Sequence, residues 1–195
     1  MSQRPHHRPL VPGDGFFAAI EGGADPSLVT EAAERAAVLL VRGARAEYDA
    51  ALVERVVRLA EHEGLEALAE LWAGSPSESL AGCLWRLYLL REWVHAQPQE
   101  AALQFDAGRR IAEVAEVVAG VADPPGPDQL REMVDAVLRG IAQSEFADVL
   151  LRAAAFARVI TTGRASLGLD SARQMGALAD QLEDAARLEL LDELA

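Results

Sequence analysis

Apolar residues recur three or four positions apart over most of this chain, which is the spacing of one face of an α-helix. Alternating apolar and polar positions, which would indicate strands, are scarce, as are β-branched runs. The pattern therefore predicts an all-α fold: a compact bundle of about eight helices around a central buried helix, residues 76–96.

The predicted central helix is apolar on nearly every side, which is typical of a helix buried within a larger core. Ser75, Pro76 and Glu78 have the order of a helix start: a capping hydroxyl, a proline at the first position and a capping-box glutamate. Pro98 starts the next helix after a tight turn. The segment is too short and too charged to span a bilayer, which requires about 20 apolar residues.

The other helices are each predicted from an apolar stripe, and most of these stripes end at a glycine or proline. Their expected spans are 25–47, 50–63, 65–73, 98–121, 127–140, 144–162 and 170–194, with a loop at 163–169. The stripe of 98–121 is the most regular, and it predicts that these residues face the core: Leu103, Ala107, Ile111, Val114, Val118 and Val121.

The domain organisation is expected to be simple. Residues 1–14, rich in Pro, Arg and His, are predicted to be a disordered tail, and residues 15–195 a single helical domain. The proline-rich stretch 123–127 is compatible with a division into subdomains and equally with an ordinary loop between helices.

Charged and aromatic residues interrupt one side of the central helix, where burial would be costly unless the charges are paired. The ligand-binding candidates are Arg86, Tyr88, Arg91, Glu92 and His95. One interpretation is a half-buried face whose charges pair with neighbouring helices. The other is a pocket in which Arg86 or Arg91 holds a small anion while Glu92 and His95 exchange a proton. Asp106, Arg109 and Arg110 could face the same side.

The net charge of −13 argues against nucleic-acid binding, which depends on neutralising phosphates with basic residues. All 18 basic residues are arginine, which is typical of a GC-rich, bacterial genome. The absence of lysine excludes Schiff-base chemistry on a lysine side chain. The excess of acidic residues is expected to keep the protein soluble. The sequence contains no transmembrane run, so no membrane partner is expected.

The residues that carry common catalytic and cofactor chemistry are not arranged in a known motif. Cys83 is the only cysteine, so no internal disulfide can form, and a buried thiol in a cytoplasmic protein is expected. Glu92 and His95 form the single Glu-x-x-His pair, whereas a di-metal bundle uses two. No metal site and no cofactor are predicted, the catalytic residues are unknown, and enzymatic activity is left undecided.

The last predicted helix carries leucines on more than one side of its final two turns. Leu188 and Leu190, for example, point about 200° apart at 100° per residue, so one groove cannot bury both. The first functional hypothesis is therefore a non-enzymatic protein that acts through protein–protein contacts, as a homodimer formed by the C-terminal helix. The alternative is a protein or enzyme that binds a small anion on the charged face of the central helix.

Overall fold

The computed structural model describes residues 26–42, 65–111, 126–139, 141 and 145–194. In these ranges it contains seven helices and no strand, which confirms the all-α prediction. The helices are α1 Pro26–Arg42, α2 Leu65–Trp72, α3 Leu80–Ala96, α4 Pro98–Arg109, α5 Pro127–Arg139, α6 Phe146–Ser166 and α7 Ala172–Leu190. The predicted tail 1–14, the predicted helix 50–63 and residues 112–125 lie outside the described residues.

The central helix α3 packs against every other described helix. Its buried residues are Leu80, Ala81, Gly82, Cys83, Leu84, Leu87, Leu90 and Val94. The predicted start at Pro76 was four residues too early, because Ser79 caps α3 instead of Ser75. The Ser79 side chain accepts a hydrogen bond from the Gly82 backbone N–H at 3.1 Å.

The helices α4 and α6 cross with their backbones in close contact. A Cβ atom added at Gly108 would lie 1.9 Å from the Val159 carbonyl oxygen, and one at Gly163 would lie 1.8 Å from that of Gln104. This approach decides which face of α4 is buried. The described half of the predicted stripe was wrong, because Leu103 and Ile111 are 61% and 60% exposed. The other half, Val114, Val118 and Val121, lies outside the described residues.

The helices α6 and α7 form an antiparallel pair and share the largest helix–helix contact among the described residues. Thr161 lies against Gly176, and Arg158 pairs with Glu183 further along the seam. The predicted loop at 163–169 was wrong in its first half, since α6 continues to Ser166. Gly163 lies inside the helix, where it permits the crossing with α4.

The predicted stripes of the last three helices are largely confirmed. The fully buried members are Leu130 and Val134 of α5, Phe146, Leu150, Ala153, Ala157 and Ile160 of α6, and Met175, Leu182 and Ala185 of α7. Val137, Ile141 and Leu178 are partly buried against the same core. None of the described helices is long and apolar enough to cross a membrane.

Candidate functional site

Three of the five candidate residues meet in one ion-pair network between α3 and α5. Arg91 Nε donates to Asp135 Oδ1 at 2.9 Å, and Arg91 Nη1 donates to Glu92 Oε1 at 2.7 Å. His95 Nε2 lies 3.0 Å from the same Asp135 oxygen. One carboxylate oxygen of α5 is therefore shared by an arginine and a histidine of α3.

This network, Arg91, Glu92, His95 and Asp135, is half-buried. The exposed fractions of its side chains lie between 26% and 39%. Partial burial strengthens these interactions relative to a fully exposed pair while still leaving them within reach of water. The arginine is already paired on two sides, so an external anion would have to compete with two carboxylates of the chain.

The other two candidates lie elsewhere on α3. Arg86 Nε donates to Gln181 Oε1 of α7 at 2.7 Å, and its Nη1 donates to the Gly82 carbonyl at 2.8 Å. Tyr88 stacks on Trp85, with ring centroids 5.7 Å apart and an angle of 21° between the planes. Arg86 thus faces α7, while the Arg91 network faces α5, because the two arginines point about 140° apart on the helix.

Sequence reasoning missed Asp135, the residue that joins the network. The sequence pattern predicts ion partners for the central helix in the first half of the helix that follows it. In the structure Asp106 pairs with Arg109 at 3.0 Å and with Arg110 at 2.7 Å, within α4 and the turn that follows it. The only signal that Asp135 offered was its place on the polar side of α5, which it shares with many acidic residues.

An apolar cleft lies beside the network, between α3, α5 and α6. Its lining residues are Leu87, Leu90, Met133, Val134, Val137, Leu138, Ala153 and Phe156. Its empty volume is about 260 Å³, which includes space open to solvent. None of the five candidate residues lines this cleft, so it offers them no shared pocket.

Cys83 is buried at the start of α3, and its Sγ lies 3.6 Å from the Ser77 carbonyl oxygen. Burial raises the pKa of this thiol to about 12, against a smaller opposing effect of the Arg86 charge. A thiol with this pKa is almost entirely protonated at neutral pH and is a poor nucleophile. Within the described ranges, no three His, Cys, Asp or Glu side chains are grouped so that they could hold a metal ion.

No protein-family model matches this chain, and comparisons with curated proteins and with solved structures find no match. The functional argument therefore depends on the side chains themselves.

Proposed function

We propose that this chain is a non-enzymatic protein that acts through protein–protein contacts, as a homodimer formed by the end of α7. The observation that carries the proposal is the exposure of Leu190 and Leu191, which are 68% and 66% accessible to solvent. Leu188 and Leu194, at the same end, pack against or within the core. The exposed pair is apolar surface that the described part of the chain leaves uncovered.

These leucines belong to a helix end that is fixed in place. Asp192, at φ 57°, and the bond from the Glu193 N–H to the Leu188 carbonyl at 2.9 Å form a Schellman motif. Arg42 of α1 donates to the Leu194 carbonyl at 2.9 Å, and Leu194 itself is only 2% exposed. The end of α7 is thus docked on the body, and it presents its exposed leucines in a defined position.

A third leucine extends this surface across the seam between α6 and α7. Arg158 pairs with Glu183; Leu151 precedes Arg158 by seven residues, and Leu190 follows Glu183 by seven. Because the helices are antiparallel, both leucines lie two turns from the ion pair in the same direction, about 10 Å along the seam. Leu151 is 40% exposed. We call Leu151, Leu190 and Leu191 the C-terminal leucine surface.

A second copy of the chain is the partner that this surface fits best. An isologous contact places the same leucines on both sides, so each copy covers the other. Of the neighbouring charges, Arg187 is paired within the chain with Glu183 and Asp184, whereas Asp192 and Glu193, directly after Leu191, are exposed. Two copies that meet here bring these acidic residues near each other, so the burial of leucines has to outweigh their repulsion.

We also propose that the protein is cytoplasmic, and this proposal, like that of a non-enzymatic protein, rests on the sequence. The chain lacks the nucleophile, metal and glycine-loop motifs that would indicate a reaction. Its single cysteine fits a reducing compartment, and the raised pKa of Cys83 is in keeping with a structural thiol. Anion binding by Arg86, Tyr88, Arg91, Glu92 and His95 remains an untested prediction.

The experiment is a mass measurement by light scattering at micromolar concentration. Wild type is expected to have twice the chain mass of 20.9 kDa. A variant carrying Leu190→Asp and Leu191→Asp is expected to be monomeric, because the contact would bury its carboxylates without partners. Point variants suit this test better than truncation, since removing the end of the chain would also remove Leu194 from the core.

The matched control is Leu103→Asp, which places one carboxylate on a comparably exposed leucine of α4. This variant should remain dimeric. Circular dichroism must show that all variants keep the wild-type helix content. A monomeric wild type would overturn the proposal, and so would a dimer that survives the double substitution.

A further inference from the structure

Arg164, near the end of α6, is a buried cation whose contacts are all with neutral groups. Only 8% of the residue is exposed. Its Nε donates to Gln104 Oε1 at 2.7 Å, and its Nη1 donates to the Ser171 carbonyl at 3.4 Å. Its guanidinium carbon lies 4.5 Å from the centre of the Trp93 ring. No ion pair among the described residues involves Arg164.

A buried charge without a counterion is unfavourable, and the surroundings of Arg164 offset this only in part. The amide of Gln104 and the face of Trp93 stabilise the guanidinium, as does the C-terminal end of α6. Burial still lowers the pKa of Arg164, while the charge of Glu100 acts in the opposite direction from beyond contact distance. By contrast, Arg91, which is more exposed, is paired with two carboxylates.

One edge of the Arg164 guanidinium is open. A guanidinium has five N–H donors, and the contacts with Gln104 and Ser171 use only the Nε and Nη1 atoms. In the described ranges, the fully buried polar side-chain atoms without a partner are Glu34 Oε1 and Arg42 Nε. Arg164 Nη2, which has no hydrogen bond, is not among them and is therefore not fully buried.

The start of α7 lies against the Nη1 side of the guanidinium. The Ser171 carbonyl that accepts from Arg164 belongs to the residue immediately before α7. The first turn of α7 contains no acidic residue, and the Ser171 side chain does not cap it. The partial positive charge of this helix end thus lies close to the buried guanidinium.

We infer that Arg164 is the binding site for a small monocarboxylate, held by the open edge of its guanidinium above Trp93. The planar guanidinium matches a carboxylate with two parallel hydrogen bonds. Trp93 provides an apolar wall for the hydrocarbon part of the ligand. The nearby charge of Glu100 and the net charge of −13 favour a singly charged ligand over phosphate, which carries more negative charge.

The inference is independent of the proposed homodimer and is tested with acetate as the probe. The readout is the pair of NMR signals from the Arg164 Nε–H and the Trp93 indole N–H, in protein labelled with ¹⁵N. Acetate is expected to shift both signals saturably with a dissociation constant in the millimolar range. Acetamide, which has the same shape without the charge, and phosphate at matched ionic strength should bind at least about tenfold more weakly.

The test variant is Arg164→Gln, which should weaken acetate binding about tenfold or more, as read from the Trp93 signal. Arg173→Gln, which removes an exposed arginine from the first turn of α7, is the matched control and should bind like wild type. Arg91→Gln should also bind like wild type. If Arg164→Gln fails to fold, Arg164→Lys replaces it as the test variant. Lysine keeps the charge but cannot make the two parallel hydrogen bonds, so it should bind acetate several-fold more weakly than wild type.

Three results would overturn the inference. The first is the absence of a saturable acetate shift in wild type. The second is binding of acetamide or phosphate as tight as that of acetate. The third is an acetate shift that persists unchanged in Arg164→Gln and Arg164→Lys, or that is lost in Arg91→Gln. Loss in Arg91→Gln would assign the anion to the charged face of α3 instead.

Discussion

At the scale of single residues, exposure varies sharply between neighbouring leucines of α3. Leu87 and Leu90 are 1% and 2% exposed, whereas Leu89 is 41% exposed. The helix has no clear apolar face, because apolar residues surround its first turns and polar residues are interspersed later. Its contacts with the surrounding helices therefore decide which leucine contributes most to stability.

The first prediction compares two leucines of this helix. Leu87→Ala should lower the free energy of unfolding by about 2–5 kcal/mol, because it removes buried methyl groups and leaves a cavity. Leu89→Ala, the matched control, should cost less than about 1 kcal/mol, since its side chain is already in contact with water. Urea unfolding followed by circular dichroism measures both. Equal losses would show that α3 is not the buried centre of the fold.

Only the part of the candidate site that lies on the single helix α3 was predictable from the sequence. Helical spacing indicated that Glu92 and His95 share a face, and the structure places both in one network with Arg91. The acceptor Asp135 comes from α5, and helical spacing within α3 contains no information about another helix. Arg164 was missed for the same reason, since its burial depends on contacts with α3, α4 and the segment before α7.

At the scale of helices, the crossing of α4 and α6 depends on two glycines rather than on large apolar side chains. Gly108 and Gly163 each leave no room for a Cβ atom, because a carbonyl oxygen of the other helix fills that space. Phe105 and Phe156 stack beside the crossing, with ring centroids 5.5 Å apart. The short distance between the α4 and α6 backbones limits the space in which Phe105 and Phe156 pack.

The second prediction concerns this crossing. Gly108→Ala and Gly163→Ala should each lower the free energy of unfolding by about 1–3 kcal/mol or more, because the added methyl group collides with a backbone carbonyl of the other helix. Gly176→Ala in α7 is the control, since its Cβ would lie 3.3 Å from a Thr161 methyl group and alanine favours helix by up to about 1 kcal/mol. Thermal unfolding should show no loss for Gly176→Ala. Tolerance of alanine at both crossing positions would contradict the packing described here.

The third prediction concerns pH and the seam between α6 and α7. The hydrogen bond from Arg158 lowers the pKa of Glu183 below its ordinary value of 4.5. A lowered carboxyl pKa stabilises the fold above pH 4.5, and this stabilisation is lost as the pH falls through the folded-state pKa. Arg158→Gln should therefore be less stable than wild type near neutral pH, by no more than about 1 kcal/mol for so exposed a pair.

The difference in the free energy of unfolding between wild type and Arg158→Gln should disappear well below pH 4.5, where Glu183 is protonated in both proteins. Urea midpoints across this range measure it. Arg152→Gln, at an exposed position of the same helix, is the control and should show no such change with pH. If the stability difference between wild type and Arg158→Gln were the same at all pH values, the Arg158–Glu183 pair could not be its cause.

The sequence predicted helices well where one apolar stripe decides which face is buried. The stripe of α6, from Phe146 to Ile160, is fully buried as expected. The prediction was wrong for α4, where the close contact at Gly108 leaves Leu103 outside and the buried face also contains Ala101, Gln104 and Phe105. Close backbone packing has no hydrophobic signature, so a pattern of apolar residues cannot reveal it. The start of α3 was also misplaced, because several serines before it could serve as the cap.

At the scale of the whole molecule, charge and apolar surface act in opposite directions on self-association. Each copy carries a net charge of −13, so two copies repel at long range. The C-terminal leucine surface is apolar, while the exposed Asp192 and Glu193 that follow it add to the repulsion. The homodimer proposed above would thus form by burial of leucines against an electrostatic repulsion.

The last prediction follows from this opposition. Salt screens repulsion between the copies, with a Debye length of about 10 Å at 0.1 M and about 3 Å at 1 M. Burial of Leu190 and Leu191 is not weakened by salt. The dissociation constant of the dimer should therefore fall as sodium chloride is raised, which sedimentation velocity measures directly. The variant with Leu190→Asp and Leu191→Asp should stay monomeric at every salt concentration, because screening does not remove the cost of burying its carboxylates. A dissociation constant that rises with salt would mean that ion pairs between the copies hold the dimer, and the C-terminal leucine surface would then not be its main contact.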